Sequence, residues 1–571
     1  MTLNGVAVPL VQRRPVSWWS RAAVTAVGVL VTGMAAALVV AVLAVPNRLE
    51  DVERTSFVRL PVEALVFLAV VLLLPSTMHR LRAVMVAAAC VLLALVAVST
   101  LLDIGFFQVL NRPFDPMIDW QYAGSLVETV RGSAGGAWGE GLLVAAAALL
   151  LALVVLPPLA VLRVTHVAER HRRGALQAIA ALSVLWLVLG VLDARTGSGP
   201  VASHRASAYV YDQVSRVPSV LRDRREFARA AEADPVRDVP ADDLLTGLRG
   251  KDVLVVFVES LGRVALEDPA VSPSVVDVLD AGTRRLERAG FAARSAFLTS
   301  PTFGAGSWLA HATLQTGLWV DSQQRYDLLV TSPRLPLTRL FARAGWRTVA
   351  SVPANNRDWP QGAFYGFDQL YDSRNVGYRG PRFGYPTMPD QYTLDAFHRL
   401  ELAAEVRRPV MAEIDLITSH APWSKVPRMV PPSEVGDGSV FDGMPPTLQS
   451  EADIWPDPDR VRAAYAGAVA YSLEALVSFV LTHGDEDTVV VMLGDHQPAT
   501  IVSGPDAGFD VPVAVLARDP DVLAAIDGWG WGEGLRPDAD APVWRMDAFR
   551  DEFLAAYGPD GHTGVLPAGA R

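Results

Sequence analysis

Three side chains that can bind a divalent metal ion come directly after two short apolar runs of β-forming residues. Glu259 ends the run DVLVVFVE, and Asp495 and His496 follow the run TVVVMLG. Taken alone, Glu259 could be an ordinary loop acid, and Gly-Asp-His is a common turn composition. Together, two carboxylates and one imidazole make a three-ligand site that leaves coordination positions open for a substrate. We therefore predict a divalent metal site built from these three residues.

A serine lies between these two segments, after a Gly-Ala-Gly turn and before the helix-compatible run WLAHATLQ. Ser307 at this position is by default the N-cap of the helix. It is also a candidate nucleophile, because a helix N-terminus favours the negative charge of an alkoxide or a bound phosphate. A metal ion on the serine oxygen would lower its pKa further. The nucleophile hypothesis requires Ser307 to lie beside the three predicted metal ligands.

The segments that must position these residues alternate between β-rich runs and amphipathic stretches from Asp252 onward. The β-rich runs are DVLVVFVE, RTVASVP, VMAEIDLI, TVVVML and VPVAVLA, and the helical stretches are VVDVLDAGTRRLERAG and RVRAAYAGAVAYSLEALVSFVL. This alternation predicts a mostly parallel sheet flanked by helices. Ligands of such sheets bind beyond the carboxyl ends of the strands. The predicted metal ligands are at strand ends of this kind.

The first third of the chain contains five long apolar stretches, at 21–45, 60–77, 83–104, 141–163 and 175–193. A helix needs about 20 apolar residues to cross a hydrocarbon core. The first stretch has too long a polar lead and too long an apolar run for a cleaved signal peptide, so we expect it to be retained. We predict a five-helix transmembrane domain at 1–195, a helical linker at 196–250 and a catalytic domain at 251–571.

Basic residues in the short loops predict the orientation of these helices. They precede the first stretch and follow the second and the fourth, which places those loops on the cytoplasmic side. The N-terminus is then cytoplasmic and everything after the fifth stretch is outside, so we predict a multi-pass plasma-membrane protein. Asp115, Asp119 and Trp120 fall on an outer loop, where they contact a lipid headgroup or, for the tryptophan, anchor the interface.

Charge and cysteine content exclude two other classes of protein. The net charge is -11, and no cluster of Lys and Arg follows residue 230, which argues against a nucleic-acid partner. The single cysteine, Cys90, lies inside an apolar run. Neither a disulfide framework nor a cysteine metal site can therefore be built.

These motifs resemble the alkaline phosphatase superfamily, in particular the branch of lipoteichoic acid synthases and phosphoglycerol transferases. The segment SWLAHATLQTGLW resembles the nucleophile segment of nucleotide pyrophosphatases and phosphodiesterases, with Ser307 at the nucleophile position. VFVESLG resembles the E-S segment of the synthases, and GDHQP resembles their G-D-H segment. The resemblance implies an N-terminal five-helix transmembrane bundle followed by an extracellular α/β domain of alkaline phosphatase-like fold.

The resemblance also implies roles for individual residues. Glu259, Ser307, Asp495 and His496 become the metal ligands, with Ser307 as nucleophile. ITSHAPW resembles a segment whose histidine contacts the phosphate or the leaving group, which points to His420. NNRDW resembles a W-N-R-D segment whose arginine binds phosphoglycerol, which points to Arg357.

Two departures from the family pattern bear on the substrate. Asn355 stands where the W-N-R-D segment has its aromatic residue, although Trp359 follows closely. The T-S-D-S-E motif of the synthases is absent from the nucleophile segment. The C/S-x-P-x-R signature of sulfatases is also absent, because Ser307 is followed by WLAH. Sulfate ester hydrolysis is therefore disfavoured.

Two further residues have both a functional and a structural interpretation. His311, four residues after Ser307, lies on the same helical face and either reaches the active site or packs against a neighbouring strand. Asp415, in EIDLITSH, either supports His420 and a second metal ion or caps a loop. An oxygen-rich site with one imidazole suits Mn²⁺ or Mg²⁺, with Zn²⁺ as an alternative.

The functional hypothesis is the transfer of a phosphoglycerol or related phosphoryl-alcohol group through a covalent Ser307 intermediate. The resemblance suggests phosphatidylglycerol, in the lipid bilayer, as donor and a glycolipid or envelope glycan as acceptor. A first alternative is an extracellular phosphodiesterase or phosphatase, in which water is the acceptor. A second alternative is a catalytically silent envelope scaffold that keeps the fold but binds no stoichiometric metal.

Overall fold

The computed structural model describes residues 18–121, 124, 127, 136–197, 199–383, 385–444 and 451–559. The chain divides into two compact units. The first comprises residues 1–104 and 144–215, and the second comprises residues 105–143 and 216–571. The three-domain division at 195 and 250 stays a prediction.

Five apolar helices form the N-terminal part of the chain: α1 (Trp18–Ala44), α2 (Val62–Leu73), α3 (His79–Leu110), α4 (Gly136–Arg170) and α5 (Arg172–Val191). By length and composition, α1, α3, α4 and α5 can cross a membrane. Helix α2 has only 12 residues and is shorter than the predicted stretch 60–77, because Pro61 and Pro75 bracket it and neither continues a helix. The predicted architecture of five apolar helices before an α/β domain is confirmed.

The described residues from 205 onward form thirteen further α-helices. They are α6 (Arg205–Glu232), α7 (Val264–Glu267), α8 (Ser272–Arg288), α9 (Ser307–Thr316), α10 (Gln323–Val330), α11 (Leu337–Arg343), α12 (Gly362–Tyr365), α13 (Asp390–Phe397), α14 (Glu451–Ile454), α15 (Pro458–His483), α16 (Thr500–Ser503), α17 (Pro520–Ala524) and α18 (Phe549–Ala556). Helix α15 is also apolar and long enough to span a membrane, but 72% of its apolar window is buried inside the protein. It is a core helix of the second unit.

The sheet of the second unit has nine strands: β1 (Asp252–Val258), β2 (Ala292–Thr299), β3 (Arg347–Ser351), β4 (Gln369–Tyr371), β5 (Val410–Leu416), β6 (Thr488–Gly494), β7 (Asp510–Ala517), β8 (Gly532–Glu533) and β9 (Val543–Arg545). Their spatial order is β8-β2-β7-β6-β1-β5-β3-β4, with β9 also paired to β2. Strands β6, β1, β5, β3 and β4 run parallel, and β7 is antiparallel to both β6 and β2. The sheet is therefore mixed, with the predicted parallel arrangement at its centre.

Both faces of the central strands are covered, which explains why β1 and β6 are buried along their whole length. Helices α8 and α15 contribute to the apolar core on one face. Helices α9, α11 and α18 contribute to the core on the other face. A parallel strand with helices on both sides needs apolar residues at successive positions, and the Val-rich runs of β1 and β6 supply them.

The register of the three central strands determines where the functional side chains emerge. Val258, the last residue of β1, pairs with Gly494 of β6 and with Leu416 of β5. The three strands therefore end at the same level of the sheet. The segments that follow them, which begin at Glu259, Asp495 and Ile417, start side by side.

We expect close packing between α8 and α15 to limit substitution at Gly282. A Cβ on Gly282 would lie 2.9 Å from Val477 Cγ2, closer than van der Waals contact allows. Gly282→Ala should destabilise the protein by about 1–3 kcal/mol through overpacking, and adding Val477→Ala should give less than the sum of the two single effects. Thermal unfolding of the detergent-solubilised chain measures this. Gly528→Ala, where no atom lies within 4 Å of the new Cβ, is the control, and additive effects would contradict the prediction.

Candidate functional site

The predicted metal ligands lie together at the carboxyl ends of β1 and β6. Ligand atoms of Glu259, Asp495 and His496 all lie within 4.8 Å of one another. The Asp495 and His496 side chains are almost wholly buried. His496 Nε2 is 3.5 Å from Glu259 Oε1 and 3.5 Å from Asp495 Oδ2. The structure thus brings the Glu259 carboxylate to Asp495 and His496, which come more than 230 residues later in the sequence.

Ser307 reaches this cluster from the first position of α9. Its hydroxyl donates a hydrogen bond to Glu259 Oε2 at 3.0 Å, and its Oγ is 3.3 Å from His496 Nε2. The residue before it, Gly306, has φ 86°, a left-handed conformation that glycine adopts without strain. The serine oxygen therefore stands at a helix N-terminus and among the metal-ligand atoms at the same time.

The loop before Ser307 is bonded to the segment that carries Asp495 and His496. Phe303 forms a parallel bridge with Gln497, and the Gly304 N–H donates to the Gln497 carbonyl at 2.8 Å. The Ser300 hydroxyl donates to the Asp495 carbonyl oxygen at 2.6 Å. The Thr302 hydroxyl closes the loop by donating to the Ala305 carbonyl. These bonds hold the loop before Ser307 against the segment of Asp495 and His496.

The hydrogen bonds of His496 leave one ring nitrogen available to a metal ion. Its Nδ1 lies 2.8 Å from the Gln497 carbonyl, and a carbonyl only accepts, so Nδ1 carries the proton. In the neutral ring the lone pair is then on Nε2, which faces Glu259 and Asp495. The donor set, two carboxylates with an imidazole nitrogen and a serine oxygen, fits a divalent cation.

The pKa values of the two carboxyl groups in this cluster are shifted in opposite directions. Burial opposes ionisation of Glu259, but His496 and His420 outweigh it and hold the pKa of this carboxyl below its usual range. Burial and the nearby Glu259 raise the pKa of Asp495. Two buried carboxylates this close repel each other when both are charged. A divalent cation between them would remove that conflict.

Two serines that sequence reasoning did not select bond to this cluster, Ser260 to both carboxylates and Ser419 to the backbone of Glu259. Ser260, at φ 57°, donates its N–H to Asp495 Oδ1 at 2.7 Å and its hydroxyl to Glu259 Oε1 at 2.8 Å. The Tyr465 hydroxyl holds Ser260 in turn through its carbonyl at 2.7 Å. Ser419 donates to the Glu259 carbonyl at 2.6 Å. The S of the VFVESLG segment was the available signal for Ser260.

His420 lies at the same end of the sheet and stacks on a tyrosine. Its Nδ1 donates to the Ala421 carbonyl at 2.6 Å, and its ring lies 3.7 Å from the Tyr385 ring at an interplanar angle of 12°. Burial and the charge of Glu259 raise the pKa of Tyr385 to about 12, with Arg357 opposing the shift. Tyr385 therefore lies within electrostatic range of both Glu259 and Arg357. Sequence reasoning missed it because its segment has no regular element or motif.

The structure separates the two residues of the NNRDW segment. Arg357 is exposed, and its charge acts on Tyr385. Trp359 instead packs in an apolar cluster, with its ring 5.4 Å from that of Tyr365. Trp308, the residue after Ser307, packs against the same cluster.

A second cluster of ionisable groups adjoins the first: His311, Glu413 and Asp415. His311 Nδ1 is 3.1 Å from Glu413 Oε1 and 3.7 Å from Asp415 Oδ1, and its ring stacks 3.7 Å from that of Phe257. Burial disfavours the charged imidazole, but Asp415 and Glu413 outweigh it and raise the pKa of His311 to about 9. An imidazolium neutralises this second pair of carboxylates from within the protein. Burial raises the pKa of Asp415.

The geometry of the sheet and of this site agrees with a family match. Residues 251–513 match the family model described as Sulfatase. The second unit thus carries a sulfatase-family domain of the alkaline phosphatase superfamily, which confirms the resemblance seen in the motifs. No curated protein sequence matches this chain.

Several solved structures are similar to this chain at low identity. A lipoteichoic acid synthase, LtaP of Listeria monocytogenes, has 17% identity and a TM-score of 0.32, covering 50% of this chain and 70% of its own. The phosphoglycerol transferase GacH of Streptococcus pyogenes has 14% identity and a TM-score of 0.34, and the match covers 60% of this chain and 80% of GacH. A phosphonate monoester hydrolase of Agrobacterium radiobacter has 15% identity and a TM-score of 0.30, and the match covers 53% of this chain and 77% of the hydrolase. At these identities and TM-scores, the similarities say nothing about substrate.

We expect Gly304 to accept no side chain. It has φ +68°, and an added Cβ would lie 1.8 Å from the Val109 carbonyl oxygen, which belongs to the same unit. Gly304→Ala should therefore displace the loop before Ser307 and lower activity by about 10²-fold, the scale on which small displacements of reacting groups act. Gly504→Ala is the matched control, because Gly504 has φ +79° but no atom within 4 Å of its Cβ position. Equal losses in both variants would show that backbone strain alone is responsible.

We expect His311 to make stability depend on pH. Because the folded pKa is raised to about 9, the stabilisation is complete below the ordinary pKa of about 6.5 and is lost as pH rises through about 9. His311→Gln leaves the two carboxylates without a cation and should cost about 3–5 kcal/mol at neutral pH. Thermal unfolding measured from pH 6 to pH 10 tests this. His398→Gln, which removes a histidine stacked on His483, is the control. Parallel pH profiles for wild type and His311→Gln would contradict the prediction.

Proposed function

We propose that this protein transfers a phosphoglycerol or related phosphoryl-alcohol group from a membrane phospholipid to a cell-envelope acceptor, with Ser307 as nucleophile. The observation that carries the proposal is the position of Ser307 Oγ, 3.0 Å from Glu259 Oε2 and 3.3 Å from His496 Nε2. A serine in that position shares the ligand sphere of a divalent ion. The interpretation of Ser307 as a helix N-cap is wrong, because Gly306 is the N-cap of α9 and no described side chain caps that helix. Capping therefore does not explain the contacts of the Ser307 hydroxyl with Glu259 and His496.

The proposed metal ligands are Glu259, Asp495, His496 and the Ser307 oxygen. A bound Mn²⁺ or Mg²⁺, with Zn²⁺ as an alternative, would lower the pKa of the serine hydroxyl and offset negative charge on the phosphoryl oxygens. The rest of the chemistry belongs to the protein. Ser260 and Ser419 hold Glu259, and Ser260 and the backbone N–H of His496 hold Asp495. The nucleophile thus meets a preorganised set of donors.

In the proposed first step the Ser307 Oγ–P bond forms as the P–O bond to diacylglycerol breaks. The hydroxyl proton passes to water, because Glu259 has a lowered pKa and is a proposed metal ligand, and a protonated His420 protonates the departing alkoxide. A glycerophosphoryl-serine remains. In the second step an acceptor hydroxyl attacks phosphorus as the Oγ–P bond to Ser307 breaks, the acceptor's proton passes to His420, and the Ser307 alkoxide takes a proton from water. Arg357 is proposed to bind the glycerol phosphate, which its exposed guanidinium can reach.

The proposed donor is phosphatidylglycerol, taken from the bilayer in which the apolar helices lie. The proposed acceptor is a glycolipid or an envelope glycan. In this proposal the N-terminus is cytoplasmic and the catalytic domain, 251–571, lies outside the plasma membrane behind a linker at 196–250. The arrangement of basic residues in the loops supports that orientation.

We expect Ser307→Ala to abolish both steps. Incubation of the full-length protein with phosphatidylglycerol should give a phosphoglycerol adduct on Ser307, detected by mass spectrometry, and the variant should lose at least about 10³-fold in donor turnover. Chelation should abolish the adduct, and Mn²⁺ or Mg²⁺ should restore it. Ser433→Ala, at an exposed serine in the same domain, is the control.

The products of the same reaction discriminate among the alternatives. A transferase yields a modified glycan or glycolipid, whereas a hydrolase yields free glycerol phosphate. A scaffold would bind no stoichiometric metal and lose nothing in Ser307→Ala. An adduct formed equally by wild type and Ser307→Ala would sink the assignment of the nucleophile.

A further inference from the structure

A cavity of about 600 Å³ lies within the second unit, and Ser307 does not line it. Its walls come from residues 112–118, the part of α6 from Arg216 to Asp223, residues 299–301 at the end of β2, the segment from Trp319 to Arg325, and Phe509. Its volume is in the range of small-molecule sites, about 300–1,000 Å³. None of the proposed catalytic residues lines it, so the catalytic site does not account for it.

The charges that line the cavity balance one another. Three arginines and three aspartates face it: Arg112, Arg216, Arg325, Asp115, Asp223 and Asp321. Both terminal nitrogens of Arg112 bind Asp119 at 2.7 Å. Arg325 pairs with Asp223 through two nitrogens and lies 3.5 Å from Asp321. Arg112 and Arg325, two of the three arginines, are thus already paired with carboxylates and offer little to a phosphate. Because three aspartates share the lining, the cavity favours a neutral ligand.

The remaining lining combines aromatic surface with hydrogen-bonding groups. Trp319 is half-buried and faces the cavity with Phe509, and Arg545 lies over the Trp319 ring at 4.2 Å, which fixes its orientation. Thr299 and Ser322 add hydroxyls, and Gln324 adds an amide. A polyhydroxylated ring presents one apolar face and a rim of donors and acceptors. Aromatic surface surrounded by paired arginines, carboxylates and hydroxyls matches that pattern.

The cavity is connected to the catalytic residues through a single turn of chain. Ser300 lines the cavity and donates a hydrogen bond to the Asp495 carbonyl at 2.6 Å. Four residues further on, the backbone of Gly304 bonds to Gln497. A ligand in the cavity therefore contacts the turn that positions the metal ligands and the nucleophile loop.

We propose that this cavity binds a neutral carbohydrate, the sugar portion of the acceptor. This inference rests on the proposed transferase function, and it places the acceptor sugar against the turn after β2. The same chemistry would serve a glycolipid headgroup or a polysaccharide end, because both present neutral sugar rings.

The test measures sugar binding by the full-length detergent-solubilised protein, using neutral disaccharides and inorganic phosphate as probes in ligand-detected NMR and calorimetry. Neutral disaccharides should bind, and phosphate should not compete. Ser219→Trp, which fills the cavity from α6, should weaken binding by about tenfold or more. Arg224→Trp, at an exposed position of the same helix outside the cavity lining, should not. Gln324→Ala removes an amide without adding bulk and should also weaken binding.

Three outcomes would overturn the inference: no binding of any neutral sugar, competition by phosphate, or equal binding by Ser219→Trp and the control. A protein that forms the Ser307 adduct but binds no sugar refutes the cavity assignment alone. One that binds sugar but forms no adduct refutes the proposed function alone. A disaccharide carried on a lipid tail, compared with the free disaccharide, distinguishes a glycolipid from a polysaccharide: tighter binding of the lipid-linked form indicates the glycolipid.

Discussion

The parallel pairing of β1 with β6 is the constraint on which the rest of the site depends. Because Val258 pairs with Gly494, the next residues of the two strands, Glu259 and Asp495, emerge side by side. Their carboxylates are buried among apolar strands and helices, where two like charges strongly oppose each other. The protein brings them together only by surrounding them with donors: the Ser260 N–H and hydroxyl, the His496 N–H, and the Ser307 hydroxyl. A divalent cation would complete this arrangement.

Much of this arrangement follows from local sequence. Each strand that carries a ligand is a run of β-branched residues, so its identity and its end could be read directly, and the parallel sheet placed the ends at one edge. Strand β2 was missed because AARSAFLT is rich in Ala and Ser and has no β-branched run. The length of α2 was overestimated, since the predicted stretch 60–77 includes Pro61 and Pro75, the two prolines that bound the helix. The N-terminal helices were otherwise recognisable from apolar length alone.

The parts of the site that the sequence did not reveal are those that depend on distant segments. Tyr385 stacks on His420, yet it belongs to an irregular segment with no periodicity. Glu413 of β5 contacts His311 of α9, and nothing in VMAEIDLI predicts that partner. The contact between Gly304 and the Val109 carbonyl joins residues almost 200 positions apart. Such pairings are set by tertiary packing, which a single sequence does not encode in any local pattern.

Each of the two adjacent clusters of ionisable groups brings two carboxylates together, and the clusters differ in the group that can offset their charge. Glu413 and Asp415 are neutralised by His311, whose raised pKa keeps the imidazole charged at neutral pH. Glu259 and Asp495 have His496 instead, whose Nδ1 donates to the Gln497 carbonyl and whose Nε2 lies 3.5 Å from an oxygen of each carboxylate. A histidine cation within the protein thus neutralises the first pair, and in the proposed function a bound divalent ion would neutralise the second. On this argument the proposed site needs one divalent ion, and Ser307, the hydroxyl directed at that pair, is the group that the ion would activate.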